Sequence, residues 1–203
     1  MDSPSVNISN GQKPARNWDK VFWAGLSLLA LALFKLGAQR ALWDPGESRY
    51  AEISREMLAT GNLLVPQLNY VPYMEKPPLA YWLNALAMKV FGVNEFSARF
   101  FTIVSALLLL ALLYRFAKKI FNPRAALFSA AIMGTSLAFL LYAQINELDM
   151  ILTALVCWGL MLFYEGFELG QSPTLKIRTC WALLGLGCLV KGPVALVLPI
   201  LVI

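Results

Sequence analysis

The chain contains no histidine. Within it, any mechanism that needs an imidazole base, an HExxH zinc site or a Cys2His2 site is therefore excluded. Acid and base chemistry falls to carboxylates, lysines and tyrosines. Charge is scarce as well: Asp, Glu, Lys and Arg make up 14% of the 203 residues, against about 25% in ordinary soluble domains. The three cysteines, Cys157, Cys180 and Cys188, lie inside apolar runs with neither an even count nor CxxC spacing. That removes a disulfide framework and a redox or metal motif, and leaves small packing residues. What is abundant is apolar surface: 59% of the chain is hydrophobic, in runs long enough to enter a bilayer.

The predicted fold class is an all-α polytopic membrane protein. Residues 1–17 are polar, lack an apolar period and read as a disordered cytoplasmic tail. A transmembrane domain over 18–203 follows, with spans at about 21–39, 97–116, 125–146 and 150–167. Beyond these, an apolar stretch is interrupted at Lys191-Gly192-Pro193. Because Pro removes a helical hydrogen bond and Gly is a poor helix former, it is predicted to break into 177–190 and an incomplete 193–203. The chain stops at Leu-Val-Ile with no polar flank, so the sequence reads as a fragment of a longer protein.

The net charge of +5 is a topology signal and not a nucleic-acid one. Lys13, Arg16 and Lys20, then Arg115, Lys118, Lys119 and Arg124, then Lys176 and Arg178 fall on one side if the first four spans alternate, and that side is cytoplasmic. Between spans one and two, six basic residues are balanced by six acidic ones, leaving the loop 40–96 free to face outward. A loop of that length is rarely an idle connector. Asp44-Pro45-Gly46-Glu47 reads as a helix start with Asp44 at the N-cap, Pro45 at N1 and Glu47 at N3. That helix continues to about Thr60 with Tyr50, Ile53, Met57 and Leu58 on one face and Gly61 as its stop. A second helix starts near Pro77-Pro78 and carries Leu79, Trp82, Leu83, Leu86 and Val90 on one face. Both are too short to span and are expected to lie on the outer leaflet, apolar face down.

Three acidic positions are expected on that outer face: Asp44, Glu75, and Glu147/Asp149 in a tight turn of about three residues between spans three and four. Each has a bland role, as a helix cap for Asp44 and Asp149 and as a solvated pair with Lys76 for Glu75. Basic partners are Arg40, Arg49 and Lys76. Lys191 comes up from below, about 13 residues or roughly 20 Å of helix beyond Arg178 in a core of ~30 Å; a charge at that depth is a functional hypothesis by default.

The strings Trp43-Asp44-Pro45-Gly46-Glu47-Ser48-Arg49-Tyr50, Tyr73-Met74-Glu75-Lys76-Pro77-Pro78-Leu79 and Leu189-Val190-Lys191-Gly192-Pro193 resemble those of bacterial polyprenyl-phosphate-dependent glycosyltransferases of the lipid A aminoarabinose transferase type and, more distantly, protein O-mannosyltransferases. The resemblance covers about residues 20–203. It implies a GT-C bundle with two interfacial helices in a long first outer loop, of which this chain is the N-terminal portion. It further implies Asp44, Glu75 and Asp149 as catalytic acids and Lys76 as a contact to the donor phosphate; Arg49, Tyr50 and Lys191 join Lys76 as expected substrate-binding residues. The implied partners are a polyprenyl-phosphate sugar donor and a lipid A or protein acceptor, at the periplasmic face of the inner membrane, without nucleic acid. No cofactor is required and no metal ligand is assigned, although three carboxylates without histidine could hold a hard divalent cation such as Mg2+. Two other functions fit parts of the pattern: a transporter or channel using Lys191 and the outer acids, or an inactive fragment serving as an assembly subunit.

Overall fold

The computed structural model describes residues 17–43 and 45–202. The expected tail and Asp44 lie outside the described residues, apart from Asn17. Among the described residues the chain is helical except for one two-residue antiparallel pair. The helices are α1 (Trp18–Gln39), α2 (Gly46–Thr60), α3 (Leu79–Phe91), α4 (Glu95–Ile120), α5 (Pro123–Thr135), α6 (Leu137–Tyr142), α7 (Asp149–Phe167), α8 (Pro173–Lys191) and α9 (Val194–Val202), and the strands are β1 (Gln67–Leu68) and β2 (Val71–Pro72). Among the described residues α1, α4 and α7 are long and apolar enough to cross a bilayer.

Local chemistry sets the ends of these elements. Asn17 caps α1 by accepting from the Lys20 amide, and Asn94 and Ser97 form a reciprocal capping box at α4, so the exposed first-turn donors are satisfied. Asn122 and Pro123 start α5 in the same way. At the other end of the chain α8 stops at Gly192, whose φ of +76° is one an L side chain adopts only with strain. The chain then turns back so that α9 packs on α8 and α7.

Two expectations are corrected. The uncharged stretch 125–146 is not one span: α5 ends at Thr135, α6 is a separate six-residue helix, and residues 143–148 form a loop longer than the predicted turn. The cause is local. Thr135 and Ser136 turn their hydroxyls onto backbone carbonyls, of Ala131 and Met133 respectively, and Ser136 takes an extended conformation and caps Phe139; such side chains compete with the helical ladder. At α2 the N-cap is Pro45 and the helix begins at Gly46, one residue later than predicted. Along α3, Leu86 and Val90 of the predicted apolar face are exposed, where a lipid surface can take them, Leu79, Trp82 and Leu83 pack against core clusters, and Ala80, Tyr81, Asn84, Ala85, Ala87 and Met88 are buried. Ala80, Ala85 and Ala87 let α3 come close to its neighbours, while Met88 packs on Ala51 and Ala98 and Tyr81 on Ile53 and Met57.

Candidate active site

The ends of α1, α2 and α4 meet on one buried ion pair. Arg99, in the first turns of α4, is fully buried, and Glu47 of α2 is 1% exposed. All five guanidinium N–H groups are used. Nε and Nη2 donate to the two Glu47 carboxylate oxygens, each at 2.8 Å; Nη1 donates to the carbonyls of Gly37 and Arg40 at 2.7 and 2.6 Å, and Nη2 also to that of Ala41 at 2.9 Å. Glu47 further accepts from the Trp43 amide, the Asn146 amide and the Arg40 guanidinium at 2.9, 2.7 and 3.0 Å. Burial alone would push the Glu47 carboxyl up. The bonds from Arg99 and from the Asn146 and Trp43 amides outweigh it and hold the group below the usual carboxylate range. Paired and fully hydrogen-bonded, the two charges meet the conditions under which a buried ion pair is tolerable.

This pair fixes where the remaining groups stand. The Asn146 amide ties the loop 143–148 to the first turn of α2, and a methyl at Gly46 would lie 3.6 Å from Glu147 Oε1. Below the contact the Asn84 and Asn146 side chains bond each other at 2.8 Å. Glu56, 1% exposed, plays a matching part further along α2. Its carboxylate accepts the amides of Asn69 and Tyr70 at 2.7 and 2.9 Å, the two residues with φ near +60° that turn β1 into β2. A two-residue turn with both φ values positive matches the strands' twist, so the hairpin returns beside α2 and delivers Tyr73 to the cluster of Ile53, Met57 and Tyr81.

On this frame the expected residues form two groups that meet at Tyr50. In the first, the Tyr73 hydroxyl donates to Glu75 Oε2 at 2.7 Å. Tyr73 also hydrogen-bonds Arg49 and, with added help from the Glu75 charge, raises the pKa of that guanidinium. In the second, Lys191 at the end of α8 is paired with Asp149 at the start of α7, both partly exposed. Tyr50 packs, like Tyr73, on the cluster of Ile53, Met57 and Tyr81 and also on the cluster that holds Leu148 and Val190, the chain neighbours of Asp149 and Lys191, and burial raises its phenol. The ammonium of Lys191 therefore reaches the outer acids instead of stopping short of them. Glu75 takes Tyr73 as its partner and not Lys76; Lys76 has neither ion pair nor hydrogen bond among the described residues. Among these residues no three acidic or sulfur side chains stand close enough to hold a metal ion.

The sequence reads Glu47 only as part of a helix start and gives Arg99, Tyr73, Glu56 and Asn146 no part in the site. One signal was available for Arg99: it interrupts an apolar helix where a charge needs a partner, and the only acids within reach lie in the preceding loop.

The family described as dolichyl-phosphate-mannose-protein mannosyltransferase matches residues 75–203. An undecaprenyl phosphate-alpha-4-amino-4-deoxy-L-arabinose arabinosyl transferase of Proteus mirabilis is 36% identical over 188 residues, covering 88% of this chain and 34% of that protein. One from Pectobacterium atrosepticum is 38% identical over 167 residues, 80% of this chain and 30% of its own length. The crystal structure of ArnT from Cupriavidus metallidurans bound to undecaprenyl phosphate superposes with a TM-score of 0.83 at 31% identity, over 91% of this chain and 34% of that one. The apo structure gives 0.79 at 30% identity, over 92% and 35%. The chain thus spans about a third of the length of these relatives.

Proposed function

The chain belongs to the dolichyl-phosphate-mannose-protein mannosyltransferase family, and on that premise we propose that it carries the donor side of a membrane glycosyltransferase. The enzyme moves a sugar from a polyprenyl phosphate to a lipid A phosphate or a protein hydroxyl at the periplasmic face of the inner membrane. The names of the relatives favour a pentose, 4-amino-4-deoxy-L-arabinose on undecaprenyl phosphate. The observation that carries the reading is that Tyr50 packs on the clusters flanking both the Tyr73–Glu75 pair and the Asp149–Lys191 pair, with a lysine, Lys76, that has no partner of its own among the described residues next to Glu75 in the chain.

The donor arrives with its leaving group attached. As the bond from the sugar C1 to the phosphate oxygen breaks, the electron pair stays on the lipid phosphate, and an oxygen of the acceptor forms the new bond to C1. Lys76, with Arg49 and Lys191, balances the charge gathering on the departing phosphate. Asp44, Glu75 and Asp149 orient the acceptor and, where it is a hydroxyl, one of them takes its proton; a phosphate acceptor needs no base. The pairing of Asp149 with Lys191 tempers the carboxylate's repulsion of the donor.

Lys76 provides the test. Pro77 and Pro78 restrict the backbone beside it, so the point from which the side chain reaches is fixed while its ammonium is free to meet the donor. Lys76→Ala should lower transfer of labelled sugar from the lipid donor by roughly two orders of magnitude, the scale of losing one electrostatic stabiliser, and Lys76→Arg should restore part of it. Normal turnover of Lys76→Ala at saturating donor would remove the lysine from the reaction.

A further inference from the structure

Tyr81 of α3 is fully buried, and its hydroxyl has no hydrogen-bond partner among the described residues. A buried polar group left unpaired is costly, and each one in a folded protein calls for an explanation. The ring itself is plain core, set against Ile53 and Met57 with Tyr50, Leu68, Tyr73 and Trp82 on the rim of the same cluster. The ring alone fills that place. The oxygen adds no bond to the free chain.

The surroundings of that oxygen point to the site. Burial raises the Tyr81 phenol, and Tyr50, Tyr73 and Glu75 push it further the same way against Arg49, so the group is a hydroxyl with a proton to donate. Within its cluster only Tyr50 and Tyr73 carry a side-chain oxygen. The Tyr73 oxygen is engaged, donating to Glu75 and hydrogen-bonded with Arg49. Asn84, one turn along α3, has its side chain turned to Asn146. The Tyr50 hydroxyl, by contrast, has no partner among the described residues, and the Tyr50 and Tyr81 rings lie 5.9 Å apart between centres, inclined by 37°. Tyr50 is half-buried and packs on the clusters flanking both halves of the site. A ligand can touch it, whereas Tyr81, with 0% exposure, meets a ligand only through a neighbour.

We propose that Tyr81 is a positioning residue for Tyr50: when the donor phosphate accepts a hydrogen bond from the Tyr50 hydroxyl, the Tyr50 oxygen accepts one from Tyr81, and the buried phenol fixes the ring that holds the donor. This rests on the glycosyltransferase reading, which supplies the phosphate. A hydroxyl that accepts one bond is polarised to donate another more strongly, and the stranded Tyr81 hydroxyl gains its partner at the same moment. The free site thus keeps a donor in reserve that only an occupied site uses.

Tyr81→Phe removes the one oxygen. In mild detergent the ligand-free variant should melt at the temperature of the parent or slightly above it, because no native bond is lost. Adding a polyprenyl phosphate should then raise the melting temperature of the parent by more than that of the variant, whose affinity for the lipid should be weaker by roughly tenfold, the worth of pairing one buried hydroxyl. In a Tyr50→Phe background the same substitution should change that affinity by about twofold at most, since the oxygen it acts through is gone. Equal affinity in the parent and Tyr81→Phe would overturn the proposal. So would a full effect in the Tyr50→Phe background, which would give Tyr81 another partner, or a ligand-free variant that melts well below the parent, which would make the hydroxyl structural. A parent that polyprenyl phosphate does not stabilise would remove the donor reading itself, and the role of Tyr81 with it.

Discussion

Glu47 and Arg99 matter to the site without belonging to it. Each is buried where a lone charge is costly, so removing one strands the other; breaking such a pair costs about 3–5 kcal/mol. Glu47→Gln, nearly the same shape, should lower the unfolding free energy in mild detergent by that order at neutral pH. The effect of acidity follows from the depressed carboxyl. A group whose folded pKa lies below its ordinary value of 4.5 contributes stability that is complete above that value and is lost as pH falls through the folded one. The gap between the parent chain and Glu47→Gln should therefore be constant above pH 4.5 and close only below it, and equal stability at pH 7 would refute the assignment. The sequence singled out residues 49, 50, 75, 76 and 191 because each sits in a short string with Pro or Gly, and Asp149 because it falls in the turn between two apolar runs. It left Glu47 and Arg99 unpaired, since they are 52 residues apart and local spacing says nothing of partners at that separation.

Among the elements, the hairpin between α2 and α3 has the least apolar support and depends on one carboxylate. Glu56→Gln keeps one acceptor oxygen where two are needed, so either the Asn69 or the Tyr70 amide loses its partner, at a cost of about 1–3 kcal/mol. Hydrogen exchange at those two amides should accelerate by roughly one to two orders of magnitude while the α4 amides are unaffected; unchanged exchange would mean the turn holds itself. Sugar transfer should fall as well, since the hairpin presents Tyr73 and through it Glu75. The starts of α2 and α3 could be read from Pro and Gly, and the stop at Gly61 from its position. The division of 125–146 could not. A window of Ala, Leu, Phe and Met reads as continuous, and the hydroxyls of Thr135 and Ser136 register only weakly in a pattern built on hydropathy. On α3 periodicity finds the bulky stripe but is silent on the small residues, Ala80, Ala85 and Ala87, that are buried against neighbouring helices.

For the whole molecule the first question is which side the site faces. Leu64, 83% exposed in the outer loop, and Phe121, 71% exposed between α4 and α5, are suitable for single cysteines in a background without Cys157, Cys180 and Cys188. A thiol reagent that crosses only the outer membrane should label position 64 and spare 121, because the basic residues collect at the end of the bundle that holds 121; the reverse labelling would invert the topology. The ion pair at Glu47 also imposes an order of events during synthesis. The carbonyls of Gly37, Arg40 and Ala41 are claimed by a side chain that leaves the ribosome some 60 residues later, at synthesis rates of roughly 5–20 residues per second, and the Asn146 amide follows later still. Until α4 is threaded into the bilayer, the end of α1 and the first turn of α2 have only water to bond to, so the site has no fixed shape while the chain is nascent. Insertion of α4 is thus the moment at which the outer loop changes from a tether into a template, and a stalled chain lacking that helix should be open to protease between α1 and α2.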